Sequence, residues 1–181
     1  MKHLLEELAE LAAPGKEPPQ LLRQKLLANV MRPRLRYAPL FGKLSRLFDW
    51  GDLELAALFE RAAQAEAWMP APIPGVQLLH FTGGPRVAGA DNGLVRLAAG
   101  TRFPAHRHLG RERALVLEGA YRDEQDGRRY VAGDLHEMLE GSTHAYTVTD
   151  DGPALLAVSL VGGVDVEGYG TLSPSPAGAQ R

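Results

Sequence analysis

An α+β fold, mainly β, is predicted for this sequence: a small barrel or sandwich of short strands preceded by a helical region. Three observations point there. Apolar residues recur at helical spacing up to about residue 70 and in short strand-length runs after it. The 20 glycines and 13 prolines supply many turns. With 45% hydrophobic residues, the 181-residue chain can bury a core of good size.

The elements follow in order. Leu4, Leu5, Leu8, Leu11 and Ala12 line one face of a first helix that Pro14-Gly15 ends. Pro18-Pro19 opens a second, with Leu21, Leu22, Leu26, Leu27 and Val30 on its apolar side and Pro33 as its limit. A third helical piece lies within residues 40–48. The fourth is DLELAALFERAAQAEA, with Asp49 or Asp52 as its cap and Leu55, Leu58, Phe59 and Ala62 as its buried face. WMPAPIPG, residues 68–75, carries Pro70, Pro72 and Pro74 and cannot continue a helix. It separates a helical region, 1–70, from a β region, 71–168.

In the β region seven short apolar runs read as strands: GVQLLHF, GLVRLAA, RALVLEG, RRYVAGD, LHEML, HAYTV and ALLAVSLV. That number and spacing suit a sandwich or barrel. Asp126-Gly127 is a two-residue hairpin signal. The small, polar, Pro-containing end, residues 169–181, reads as a disordered tail.

A net charge of −2 gives no bulk attraction to nucleic acid or to a membrane surface. One local run departs from this balance. From Lys16 to Arg46 there are eight basic residues and one acid, Glu17. That run is either a solvated face or a docking surface for an acidic protein partner. No helix-turn-helix or groove-reading pattern accompanies it, which argues against DNA. The N-terminal segment has acids among its leucines, unlike a signal peptide, and no 18-residue apolar run is present. A soluble cytoplasmic protein is expected.

The chemistry gathers in GTRFPAHRHLGRERALVLEG, residues 100–119. On a strand, residues two apart share a face, so His106 and His108 project together. Gly110 permits a turn, and Glu112 begins the next strand beside them. The chain then returns through Gly133-Asp134 to EGSTH, ending at His144. With no cysteine, disulfides and thiolate zinc sites are excluded, and a metal must be held by nitrogen and oxygen. Three imidazoles and one carboxylate suit a borderline divalent ion: zinc first, with iron, manganese, nickel or copper also served. His136 is an alternative fourth ligand, and Tyr121, Tyr146 and His136 are the candidate general bases. Arg107 and Arg113 alternate with the ligands and face away. His80 and His3 read as ordinary residues.

The spacing G-x5-H-x-H-x3-E-x6-G, from Gly100 to Gly119, arises by chance on the order of once in several thousand chains of this composition and length. A second fragment, G-x7-G-x2-H, fits Gly133, Gly141 and His144. Together they resemble the two cupin motifs over roughly residues 75–165, with Leu139 where a proline is common and Val148 where an asparagine is common. The resemblance implies a jelly-roll-like small β-barrel, one metal held by His106, His108, Glu112 and His144, and homodimerisation.

More narrowly, FPAHRHLGRERALVLEGAYRDE with YVAGD and EGSTHAY resembles the cupin domain of ChrR-type anti-sigma factors, and EPPQLLRQKLLANV their proline-led helix. Those proteins join a helical zinc domain, which holds an extracytoplasmic-function sigma factor inactive, to a sensing cupin. The cysteine ligands of that zinc domain have no counterpart here, and the chain begins about where that finger would end. The implied function is a metal-binding regulatory or sensor protein, with a small ligand in the barrel and a sigma factor or other acidic protein as partner through residues 16–46. The alternative is a metal-dependent enzyme, a dioxygenase or Lewis-acid isomerase or hydrolase, acting on a small carbonyl or diketone.

Overall fold

The computed structural model describes residue 20 and residues 36–172 of the chain. The first two expected helices, His3, most of the basic run and residues 173–181 lie outside the described residues. Among the described residues the chain forms two α-helices, α1 (Phe41–Phe48) and α2 (Asp52–Ala62), followed by twelve strands.

The strands are β1 (Met69–Pro70), β2 (Val76–Phe81), β3 (Asp91–Leu97), β4 (Arg102–His108), β5 (Glu112–Glu118) and β6 (Ala120–Asp123). They continue with β7 (Arg129–Val131), β8 (Leu135–Met138), β9 (Thr143–Val148), β10 (Ala154–Leu160), β11 (Val164–Val166) and β12 (Gly170–Leu172). Two six-stranded sheets result, one in the order β1-β2-β3-β10-β5-β8 and the other β12-β11-β4-β9-β6-β7. All strand pairs are antiparallel. Strands consecutive in sequence mostly sit in opposite sheets, the connectivity of a jelly-roll barrel. The mainly β architecture is as expected.

The first sheet is buried on both faces. Along β5, Leu115 and Leu117 turn outward to meet Leu44, Leu47 and Phe48 of α1 and Leu55, Leu58 and Phe59 of α2 in one core. Val116 turns inward, into a second core with Leu97, Tyr121, Tyr146, Val148 and Leu156. This explains why RALVLEG and ALLAVSLV are continuous apolar runs rather than alternating ones: each successive residue meets a different apolar layer. The three buried positions in each helix follow the i, i+3, i+4 spacing.

Four expectations are corrected. Neither Asp49 nor Asp52 caps α2; its N-cap is Gly51, and no side chain bonds there. Asp49 instead ends α1 in a left-handed conformation, φ 55°. Its carboxylate accepts hydrogen bonds from Arg86 N (3.0 Å) and Nε (2.7 Å), which ties the helix to the barrel. The Asp126-Gly127 hairpin exists, but Asp123 N donates to Arg128 O, so the loop is longer than two residues. Residues 170–172, assigned to the tail from sequence, pair with β11 as β12. Finally, β4 and β5 do not form a hairpin: Glu112 begins a strand in the sheet opposite the histidines. Among the described residues no helix is long and apolar enough to cross a membrane.

Candidate metal centre

β4 and β9 are neighbours, and His106 pairs directly with His144 in their register. His108 is two residues along β4, on the same face. The three histidines are buried and offer ligand atoms that all lie within 4.8 Å of one another. Their ring centroids are 4.4 Å (His106–His144), 4.9 Å (His106–His108) and 5.1 Å (His108–His144) apart. Glu112 is outside this triad; its Oε2 lies 3.5 Å from His108 Nδ1, approached from the opposite sheet.

Two of the rings are oriented by what their other nitrogen does. His106 Nδ1 donates to the Pro104 carbonyl at 2.9 Å, leaving Nε2 with the lone pair. His144 Nδ1 donates to Asp123 Oδ2 at 2.5 Å. The other carboxylate oxygen of Asp123 accepts from Gln125 N at 2.7 Å and Asp126 N at 3.2 Å. Burial works to raise the Asp123 pKa, but the His144 and backbone hydrogen bonds outweigh it and hold the group below the usual carboxylate range. A carboxylate behind a histidine is the arrangement that fixes a metal ligand's tautomer and raises its basicity. Sequence reading missed Asp123.

Both ring nitrogens of His108 and Nε2 of His144 are buried without a hydrogen-bond partner among the described residues. Such groups ordinarily cost free energy when unpaired. Burial pushes His106 down to about 4 and His108, which also feels its neighbouring histidines, down to about 3. The His106 and His108 imidazoles are therefore neutral near pH 7 and have lone pairs to give. Burial, with a contribution from Asp91, raises Glu112 to about 7. Neutral imidazoles with unpartnered nitrogens beside a carboxylate form a donor set that fits a divalent ion.

The remaining candidates fall elsewhere. His136 joins Asp123 and His144 in a second group of ligand atoms within 4.8 Å. Its Nδ1 lies 2.9 Å from Tyr121 Oη, and its ring stacks on Tyr130 at 4.0 Å. Burial raises the Tyr121 and Tyr146 pKa values, so both phenols stay protonated and neither serves as a base at neutral pH. Tyr121 then donates to His136 Nδ1, which leaves the proton of His136 on Nε2 rather than a lone pair. Arg107 is exposed, and Arg113 donates to Leu47 O at 3.3 Å on the helix side. Of the basic run, Arg36 pairs with Glu118 at 2.9 Å and Lys43 donates to Gly133 O at 2.5 Å, while Arg46 is exposed.

Between the sheets lies a cavity of about 380 Å³, reached by His106, His144 and Glu112 and otherwise mainly apolar. His80 also lines it, with its Nδ1 2.7 Å from Asp91 Oδ1. The sequence reading of His80 as an ordinary residue overlooked this.

A family model described as the ChrR Cupin-like domain matches residues 59–161. No curated protein matches the chain. Among solved structures, the complex of Rhodobacter sphaeroides SigE with the anti-sigma ChrR aligns at TM-score 0.50 and 20% identity, over 88% of this chain and 75% of that one. Acetylacetone dioxygenase from Acinetobacter johnsonii aligns at TM-score 0.52 and 14% identity, over 61% of this chain and 82% of that one. A cupin-fold protein of unknown function from Ralstonia eutropha aligns at TM-score 0.46 and 20% identity, over 55% of this chain. This chain spans 64% of the Ralstonia protein's length. These similarities are of fold.

Proposed function

Since the chain belongs to the ChrR cupin-like domain family, we propose that it is a metal-binding regulatory cupin whose centre is His106, His108, His144 and Glu112. One observation carries this reading: three buried histidines converge, and both ring nitrogens of His108 and Nε2 of His144 meet no partner among the described residues. The ion proposed is divalent, zinc first, with iron, manganese, nickel or copper as alternatives. A bound ion would supply Lewis acidity, polarising an oxygen of a small molecule in the cavity. The chain's own residues do the rest. Asp123 and the Pro104 carbonyl hold the His144 and His106 tautomers, and Glu112 would offer a carboxylate oxygen to the ion.

The regulatory role extends to a cytoplasmic homodimer that senses a small ligand in the barrel. It would signal to a sigma factor, or another acidic protein, through the basic segment 16–46. The SigE–ChrR complex supports a partner of that kind. A coupled sensor needs two states that the signal favours differently. The test is the affinity of the full chain for an extracytoplasmic-function sigma factor from the same organism, with and without metal. A change of about fivefold or more is expected; equal affinity under both conditions overturns the sensor role.

The second reading, a cupin dioxygenase or Lewis-acid enzyme, is favoured by the apolar cavity that opens onto the histidines. Tyr121 and Tyr146 do not serve as its base, because the buried phenols stay protonated. Oxygen uptake by the iron- or manganese-loaded protein on a carbonyl and diketone panel would establish the enzyme. Absence of uptake across the panel removes its oxygenase form.

A further inference from the structure

The cavity has two polar ends. One is the histidine centre, with Glu112 on β5. The other is the His80–Asp91 pair on β2 and β3. Glu112 and Asp91 both stand opposite Leu160 on β10, so they lie on one face of the sheet, two strands apart. At a strand spacing of ~4.8 Å, that places their backbones about 10 Å from each other. His80 is one strand further, opposite Gly93, which brings no side chain beside the ring. Between the two ends Leu156, Val158 and Leu160 of β10 form an apolar floor.

His80 is oriented for recognition. Asp91 takes Nδ1, so Nε2 is the ring nitrogen left to meet a ligand. The Asp91 hydrogen bond outweighs burial and raises the His80 pKa, favouring the imidazolium, in which both nitrogens donate. A donor of that kind at the end of an apolar cavity selects an oxygen acceptor, and a charged acceptor above a neutral one.

We propose that His80, held by Asp91, is a second anchor of the cavity, and that the ligand is a small aliphatic monocarboxylate whose carboxylate accepts from His80 while its hydrocarbon body extends over β10 toward the histidine centre. This deepens the regulatory reading by naming a ligand class, and rests on it for the barrel as the sensing site.

The test is calorimetric titration of the full chain with hexanoate and, as a neutral control of equal length, 1-hexanol. The variants are His80→Leu, His80→Gln and the double variant His106→Ala, His108→Ala. Metal content and thermal melting are followed on each protein. Hexanoate should bind the native chain more tightly than hexanol. In His80→Leu its Kd should weaken at least tenfold, with metal content and hexanol binding unchanged, and His80→Gln should keep part of the preference. Unaltered hexanoate affinity in His80→Leu overturns the proposal, as does a native chain that does not distinguish acid from alcohol. Binding lost only in the double variant places the carboxylate at the metal and also overturns it. A native chain that takes up no metal but needs His80 for hexanoate sinks the metal reading while this inference stands.

Discussion

Asp123 is the residue on which the histidine centre depends most without being one of its ligands. It is buried, uses both carboxylate oxygens, and holds the proton on His144 Nδ1 so that Nε2 keeps its lone pair. Asp123→Asn should weaken metal binding about 10–100-fold with the fold retained. Competition against a chelating dye reads this out, and unchanged affinity would show that His144 needs no partner. That His106 and His108 share a face was legible because the two-residue period of a strand is a local rule. Asp123 was not: it meets His144 only through the β6–β9 register, in which it stands opposite Tyr146. His80 escaped for the same reason, since Asp91 reaches it only through the pairing of β2 with β3. At this pair the pH dependence has a definite sign. The folded-state pKa of His80 is raised, so the pair stabilises fully below the unfolded pKa of about 6.5 and stops doing so as pH rises through the folded value. His80→Gln should therefore cost about 1 kcal/mol near pH 5 and less near pH 9, a modest figure for a part-exposed charged hydrogen bond. Urea unfolding at the two pH values measures the difference, and an equal cost at both removes the charge from the explanation.

Among the elements, α1 shows how the helical layer is fixed to the barrel. Its C-terminal turn sits against the loop after β2: Gly84 N donates to Phe48 O at 2.8 Å, and Asp49 holds Arg86. A Cβ on Gly84 would come within 2.0 Å of the Asp49 carbonyl oxygen, backbone against backbone. Gly84→Ala should cost roughly 1–3 kcal/mol, measured by chemical denaturation, and a neutral result would mean that the helix can lift away. The seven strands read from sequence are all present because their apolar runs are bounded by turns. β4, with Pro104 at its register shift, was read from the spacing of its histidines and not from an apolar run. The others escaped for physical reasons. β1 is two residues long and ends in proline. β6 lies between Gly119 and the hairpin, and β11 and β12 are three residues each among glycines that read as turns. The cap of α2 was misread because Asp49 serves the preceding helix's end instead.

At the scale of the molecule, two helices cover one face of a sheet whose other face lines the cavity, so the metal centre and the helical layer share β5 and β10. Such a centre should couple to global stability. An ion at about a hundred times its Kd stabilises the folded state by about 2.7 kcal/mol. For a chain of this size, chelation should then lower Tm by about 5–10 °C. Scanning calorimetry with and without chelator reads it, and an unmoved transition argues against an ion bound to the fold. The fold class was legible from periodicity, but the placing of Glu112 was not. It shares a short loop with the histidines in sequence and yet faces them from the opposite sheet, because β4 and β5 cross the barrel. The most direct measurement is elemental analysis of the chain purified without a metal-affinity tag, beside the His106→Ala, His108→Ala variant, both shown folded by circular dichroism. Near one equivalent of a divalent metal in the native chain, lost in the variant, is the expected result. No metal in either, and none taken up on titration, would contradict the claim that these histidines are assembled to hold an ion.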